Sequence, residues 1–593
     1  MPRRHLGPGA IHYHPLMRTS PVWLAALTPL FLFGCSGEAP KPPQTPPASA
    51  SSAAQDWPAF VDAFIESRFR ADPAFAVQSG RHEFDGQMAD SSRASIEADV
   101  AELRAQRLTM GRFDSALLTP AQRFERKYLE WIIDRDVFWL ADVGEPFRNP
   151  AWYIDRLDPS MYLTREYAPL PQRLRGFLGY ARAVPRLAEE IRANLRTPLP
   201  RAFIERGVAA FAGYASFFRT EMPGIFAELD DERLRRELGE ATSAAARAMD
   251  ELTAWLQAQQ GTATDAFALG ADRFSEMLRT TEQVDLTLEE LELIGRRDLE
   301  RNLAALTEAC ALFAPRTTLA ACVAKMRADK PRGGTVDGAR AQLEELRQFV
   351  KDQHIVSIPQ DEQALVAESP PYNRGNFAYI SIPGPYENPA VKSTYYVTPP
   401  DPKWSAAERN AYLPGRAFLL FVSAHEVWPG HYLQFQFANA NPSRVAALWW
   451  DYANAEGWAH YAEEMMYDAG LGAGNAQMRI GMLSNALLRN VRFLSAICLH
   501  SGCMTLEESE TMFREQAFAD AGNARQQALR GTYDPGYLAY TLGKLMIRRL
   551  RADWLAAHPA ATAQQFHDRF LSYGSPPVPM VRQEMLGAPG ALF

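Results

Sequence analysis

The chain has 593 residues, 47% of them hydrophobic and 22% charged, which supplies a core and excludes wholesale disorder. Its net charge is −8, and −11 once residues 1–34 are set aside, since these contribute only Arg3, Arg4 and Arg18. That balance argues against nucleic acid or another polyanion as a partner, while a small or cationic substrate fits.

The first segment reads as an export signal over residues 1–34. Arg18 precedes an apolar run, Val22 to Leu27 and then Leu30 to Phe33, too short to span a bilayer. Met17 is an alternative start. The run ends in Leu32-Phe33-Gly34-Cys35, which resembles a bacterial lipobox with a bulky Phe33, so Cys35 is expected to carry a lipid anchor. The alternative is an ordinary secretory signal with an incidental cysteine. Ser36 favours the outer membrane, with the protein facing the periplasm. Residues 35–56 are rich in Pro, Ala and Ser and read as a tether with nothing to bury, so a single folded domain is expected over 57–593. Its four cysteines form two close pairs, Cys310 with Cys322 and Cys498 with Cys503. An exported protein permits local disulfides, with four buried thiols as the alternative.

Beyond Trp57, long amphipathic stretches predict helices, including 121–140, 288–313 and 478–499. The fold class is therefore mainly α. Thr287 and Glu290 have the spacing of a capping box at the head of the second stretch. The loop Asp329 to Gly334 is a candidate subdomain boundary near 330. One segment differs: Phe377 to Pro383 and Ser393 to Thr398 are rich in aromatic and β-branched residues and read as a short β-hairpin. Pro383, Pro399 and Pro400 make it an edge element, which either pairs with an extended peptide or serves as a structural flap.

The chemistry concentrates downstream. Arg416 to Ala424 is almost wholly apolar and predicts a buried helix, followed at once by His425 and Glu426. A buried carboxylate needs a partner or neutralises, and a metal supplies that compensation. The usual zinc-peptidase helix carries histidines at i and i+4, yet here the i+4 residue is Pro429 and the next histidine is His431, at i+6. A straight helix would place His431 about 120° from the His425 face, so a kink or bulge at Pro429-Gly430 is required. Further on, Glu456, His460 and Glu463 share a helical face at i, i+4 and i+7, among Trp449, Trp450, Tyr452, Trp458 and Tyr461. Such a stripe is either a solvated face or a metal ligand with its supporting groups. In gluzincin-type sites the third ligand is a Glu on a following helix, the position Glu456 occupies.

His425-Glu-Val-Trp-Pro-Gly-His-Tyr-Leu-Gln434, with Glu456-Gly-Trp-Ala-His-Tyr-Ala-Glu463, resembles the bacterial domain-of-unknown-function family 885. The likeness covers nearly the whole mature chain, including Asp72-Pro73, Gly80-Arg81-His82, Asp534 to Tyr537, Tyr540 and Gly543-Lys544. It implies a large helical metallopeptidase-like fold, often carried by lipoproteins. Two departures stand out: Tyr432 replaces a second histidine common in the family, and His460 replaces a leucine. The first removes a candidate ligand and the second adds one, so either His431 or His460 could complete the metal site.

These readings make the chain a zinc metallopeptidase acting on short peptides, of oligopeptidase or carboxypeptidase type. His425, His431 and Glu456 are expected to hold Zn²⁺, with Glu426 as general base. Tyr540, Arg530 and Tyr533 are the candidates to hold the oxyanion, and Lys544 to meet a substrate carboxylate. Two rivals stay open: hydrolysis of another amide, such as an N-acyl amino acid or a cell-wall peptide, and a non-catalytic binding lipoprotein. A binding module has no need of a base beside the first histidine.

Overall fold

The computed structural model describes residues 50–593 except 228, 371–373, 375–376 and 401–403, and it is mainly helical. The expected signal peptide and Cys35 lie outside the described residues. Helix α1 (Ala50–Ala71) takes in residues 50–56, the end of the stretch read as tether. In α2 (Pro73–Gln78), Asp72 accepts from the Phe75 amide and Pro73 opens the first turn, where its missing N–H costs nothing. Helices α3 (Arg93–Met110) and α4 (Pro120–Val137) follow, α4 starting from a reciprocal Thr119–Gln122 capping box.

Three hydrophobic cores organise these elements. The first joins α1, α3 and α4 to a much later segment, Val445 to Trp449, and the buried Tyr128 hydroxyl donates to the Trp449 carbonyl at 2.5 Å. A second core is built largely from α5 (Leu170–Asn194), α6 (Arg201–Thr220) and α7 (Glu232–Ala258), whose apolar stripes pack on one another. The third and largest runs from Phe138 and Phe274 to Val581. It includes α8 (Leu288–Phe313), whose Thr287–Glu290 capping box forms as its spacing predicts, together with α9 (Leu319–Ala328) and α10 (Thr335–Asp352). The segments on either side of the largely exposed 329–334 loop share this core: Met326 before it and Ala339 after it belong to the same cluster. Cys310 of α8 and Cys322 of α9 form a disulfide with Cα atoms 5.9 Å apart, and Cys498 with Cys503 forms a second at 4.6 Å.

The segments read as a hairpin are strands of a three-stranded sheet. Strand β1 (Leu365–Glu368) runs parallel to β3 (Thr394–Val397), which pairs antiparallel with β2 (Ala378–Ser381), Tyr379 opposite Tyr396. The order β1-β3-β2 corrects the expectation of a two-stranded edge element: β3 is central, and β2 is an edge. β1 escaped notice because Leu-Val-Ala-Glu is short and carries none of the aromatic signal of its neighbours.

Six later helices carry the motifs: α11 (Arg416–Glu426), α12 (His431–Asn439), α13 (Tyr452–Asp468), α14 (Ala476–Ser501), α15 (Ala521–Tyr533) and α16 (Ala539–Ala557). From Ala453 to Met466, every residue of α13 but Glu456 is buried, so α13 is a central helix rather than a surface one. It crosses α16 at glycines: a Cβ on Gly457 would sit 2.4 Å from the Gly543 Cα, and one on Gly543 1.7 Å from the Ala453 carbonyl oxygen. Only paired glycines allow that approach. Among the described residues no helix is long and apolar enough to cross a membrane.

Candidate metal centre

The apolar run of α11 buries Ala417 and Leu419 to His425, and the helix ends at Glu426. The chain does not kink and continue; it stops, turns through residues 427–430, and restarts as α12 at His431. Gly430 makes the turn feasible. Its amide donates to the Ala424 carbonyl at 3.0 Å, and a Cβ there would lie 1.7 Å from the His425 carbonyl oxygen, so any other residue would force the two helices apart. The buried Trp428 indole donates to Gln363, and Trp458 of α13 donates to the Pro429 carbonyl at 2.9 Å. The turn is thus clamped from both sides. His431 comes back beside His425, with ring centroids 4.8 Å apart and planes at 84°.

Glu456 projects from α13 between them. Its Oε2 is 3.3 Å from His425 Nε2 and 3.4 Å from His431 Nε2, and one ligand atom from each of the three residues lies within 4.8 Å of the others. That oxygen is buried and lacks a hydrogen bond of good geometry, which a cation held among the three would remedy. Burial alone would raise the pKa of Glu456, but His431 and His425 outweigh it and hold the group well below the usual carboxylate range. Two imidazole nitrogens and one carboxylate oxygen are donor types that suit a divalent cation such as zinc.

The other nitrogen of His425 is occupied. Nδ1 lies 2.8 Å from Oε1 of Glu463, which sits two turns along α13 from Glu456 and is in turn 3.0 Å from Arg489 of α14. A carboxylate on Nδ1 puts the proton there and leaves Nε2 free as a ligand. Burial opposes charge on Glu463, yet Arg489 and His425 keep it far below the usual carboxylate range. His460 lies outside the ligand group: its Nδ1 is 3.6 Å from Glu463, and burial and the nearby Lys544 charge lower its pKa to about 3. Among the described residues, the set that gathers is therefore completed by His431.

Glu426 faces the same cavity, and burial pushes its pKa up to about 7, with His431 opposing and Glu456 assisting. The cavity measures about 1460 Å³ and reaches from the centre across to α2, α5 and α6. Strand β2 and the loop to Pro385 line one wall. Tyr540, Arg530 and Tyr533 also line it, so the three donor candidates share the space of the ligands. The Tyr540 ring stacks on His425 at 6.1 Å. Arg530 is held by Asp534 at 2.9 Å and by the Tyr452 hydroxyl at 2.8 Å, whereas Tyr533 packs against Arg206, 5.4 Å from its ring.

Lys544 requires correction. It is fully buried, away from the cavity, with Nζ 2.8 Å from Asp298 and 3.5 Å from Glu464, so it joins helices and does not meet substrate. Arg489 and Arg492 line the cavity and were missed. Their signal was two arginines, three residues apart, inside the apolar 478–499 helix, where unpaired surface charges do not belong.

Two solved structures share the fold. A presumed lipoprotein of unknown function from Shewanella oneidensis superposes with a TM-score of 0.74 at 24% identity, covering 89% of this chain and 99% of its own. A presumed lipoprotein from Colwellia psychrerythraea does so at 0.75 and 17%, covering 90% and 98%. Comparison with curated proteins finds no match. Residues 73–585 match the family described as bacterial protein of unknown function, DUF885, and the chain belongs to that family.

Proposed function

We propose that this protein is a zinc-dependent peptidase that hydrolyses short peptides, of oligopeptidase or carboxypeptidase type. The observation that carries the reading is the convergence of His425 Nε2, His431 Nε2 and Glu456 in one buried group, with Glu426 adjoining the first ligand and facing the same cavity. Zinc, when bound, supplies Lewis acidity toward a carbonyl oxygen and acidifies water. The chain's own residues do the rest. Glu426 takes a proton from the attacking water and returns it to the leaving amine nitrogen as the C–N bond breaks. Tyr540 offers its hydroxyl to the oxygen that gains negative charge. Strand β2, at the edge of the sheet and lining the cavity, gives an extended peptide a strand to lie against. A cavity of this size admits a short peptide and excludes a folded protein.

The same reading includes export and a lipid anchor on Cys35, supported by the lipobox-like Leu32 to Cys35 and by the lipoprotein character ascribed to both structural relatives. The functional test is metal analysis of the purified protein, followed by digestion of a peptide library with and without a chelator. One zinc per chain and chelator-sensitive cleavage support the reading. A metal-free protein that zinc does not activate contradicts it.

A further inference from the structure

Three arginines crowd the cavity wall around Tyr540, and their commitments differ. Arg489 is bound to Glu463, and Arg530 to Asp534 and Tyr452. Arg492, one turn beyond Arg489 on α14, is 8% exposed and lines the cavity. Its Nε donates to the neutral Gln527 side chain at 2.8 Å, and its guanidinium lies 4.9 Å from the Tyr540 ring centre. Among the described residues no carboxylate pairs with it. A guanidinium cannot shed its proton, so a buried one without a counter-ion carries a standing electrostatic cost that an incoming anion removes. Its planar fork suits a carboxylate, which it binds through two parallel N–H donors.

Position narrows the anion's identity. Arg492 and His425 touch the same ring, Tyr540, at 4.9 and 6.1 Å. An extended chain advances about 3.4 Å per residue, so a terminal carboxylate at Arg492 leaves room for one or two residues before the carbonyl beside the candidate centre. Resting on the peptidase reading, we infer that Arg492 anchors the C-terminal carboxylate of the substrate, so the protein removes one or two residues from the C-terminal end of peptides. Gln527 orients the anchor.

The test compares N-acetylated tripeptide pools made as free acids and as C-terminal amides, on zinc-loaded protein. Free acids are expected to be cleaved roughly tenfold to a hundredfold more efficiently, mainly through KM, given the strength of charge-assisted hydrogen bonds. Arg492→Gln should bring the two pools level by slowing only the acids, with zinc content unchanged, and Arg492→Lys should keep part of the preference. Equal cleavage of acids and amides by the unsubstituted protein overturns the inference while leaving the peptidase reading intact. So does an Arg492→Gln protein that slows both pools alike. Calorimetric binding of N-acetyl-trialanine and its amide separates the two ideas. If neither pool is cleaved, the peptidase reading fails, yet acid-selective binding lost in Arg492→Gln upholds the anchor; equal or absent binding removes it. Should Arg492→Gln not fold, Arg492→Lys and Gln527→Ala carry the test, each expected to reduce the acid preference, and an unchanged preference in both overturns the anchor.

Discussion

Replacing Lys544 with Met removes a fully buried cation while keeping much of its volume. The Nζ of Lys544 lies between Asp298 and Glu464, which retain Arg301 and, for Glu464, Arg548. Burial would raise the Asp298 pKa, but Lys544 and Arg301 together bring it to about 2. Against an ordinary value near 3.8, that depression corresponds to roughly 2.5 kcal/mol of stability at neutral pH. Breaking a buried pair from one side costs about 3–5 kcal/mol in all, because the surviving carboxylate loses its compensation. At about 2.1 cal/mol/K of unfolding entropy per residue over roughly 540 residues, the loss lowers Tm by about 3–4 °C. The pH dependence follows from the sign. A depressed carboxylate pKa stabilises the fold above the unfolded value near 3.8, and that contribution disappears as pH falls toward 2. Thermal melts should therefore show a gap between the unsubstituted protein and Lys544→Met that is widest near pH 7 and narrows toward pH 3. An equal gap at both pH values, or a raised KM with unaltered Tm, would refute the assignment of Lys544 to the core and restore it to the substrate.

Three further outcomes are expected. Gly430→Ala should weaken zinc binding at least about tenfold in a chelator competition, since the Cβ collides with the His425 carbonyl and separates the two histidines, whereas Gly261→Ala, with open space around it, should leave affinity unchanged. His82 bridges Asp85 and Glu387, and these hydrogen bonds overcome burial to raise its pKa to about 9; its contribution to stability is thus complete below about pH 6.5 and lost as pH rises through 9, so His82→Gln should cost stability at pH 6 and little at pH 10. Removing the Cys310–Cys322 disulfide by double Ala substitution, across its 12-residue separation, should cost about 3 kcal/mol in urea unfolding through loop-closure entropy; an unchanged midpoint would show that the bond does not form.

Local signals carried much of the fold and pointed to most of the candidate site. The Thr287 cap, the apolar Arg416 to Ala424 run and the i, i+7 relation of Glu456 and Glu463 are properties of neighbouring residues, and each reads directly from the chain. His431 was harder, because its place depends on a turn that only Gly430 permits, and that requirement comes from the three-dimensional clash with the His425 carbonyl. Lys544 shows the limit of periodicity. Tyr540 and Lys544 are four residues apart and share a face of α16, but the helix crosses α13 at Gly543, so that one lies in the cavity and the next beneath it. Its partner Asp298 is 246 residues away, a distance over which no spacing rule operates. Arg492 illustrates the converse: a charge in an apolar helix is visible in sequence, while its neutral partner Gln527, and the lack of a carboxylate partner among the described residues, are visible only in the fold.

Zinc content measured on Glu426→Gln and Glu456→Gln, side by side, tests the central claim most directly, because the two carboxylates are given different roles. Glu426→Gln should retain one zinc per chain and lose hydrolysis, since it removes a base and no ligand. Glu456→Gln should bind zinc at least about a hundredfold more weakly, with activity falling in step and returning in part when zinc is added, since a neutral amide is a poor ligand. Full occupancy in Glu456→Gln together with loss of zinc in Glu426→Gln would contradict the account.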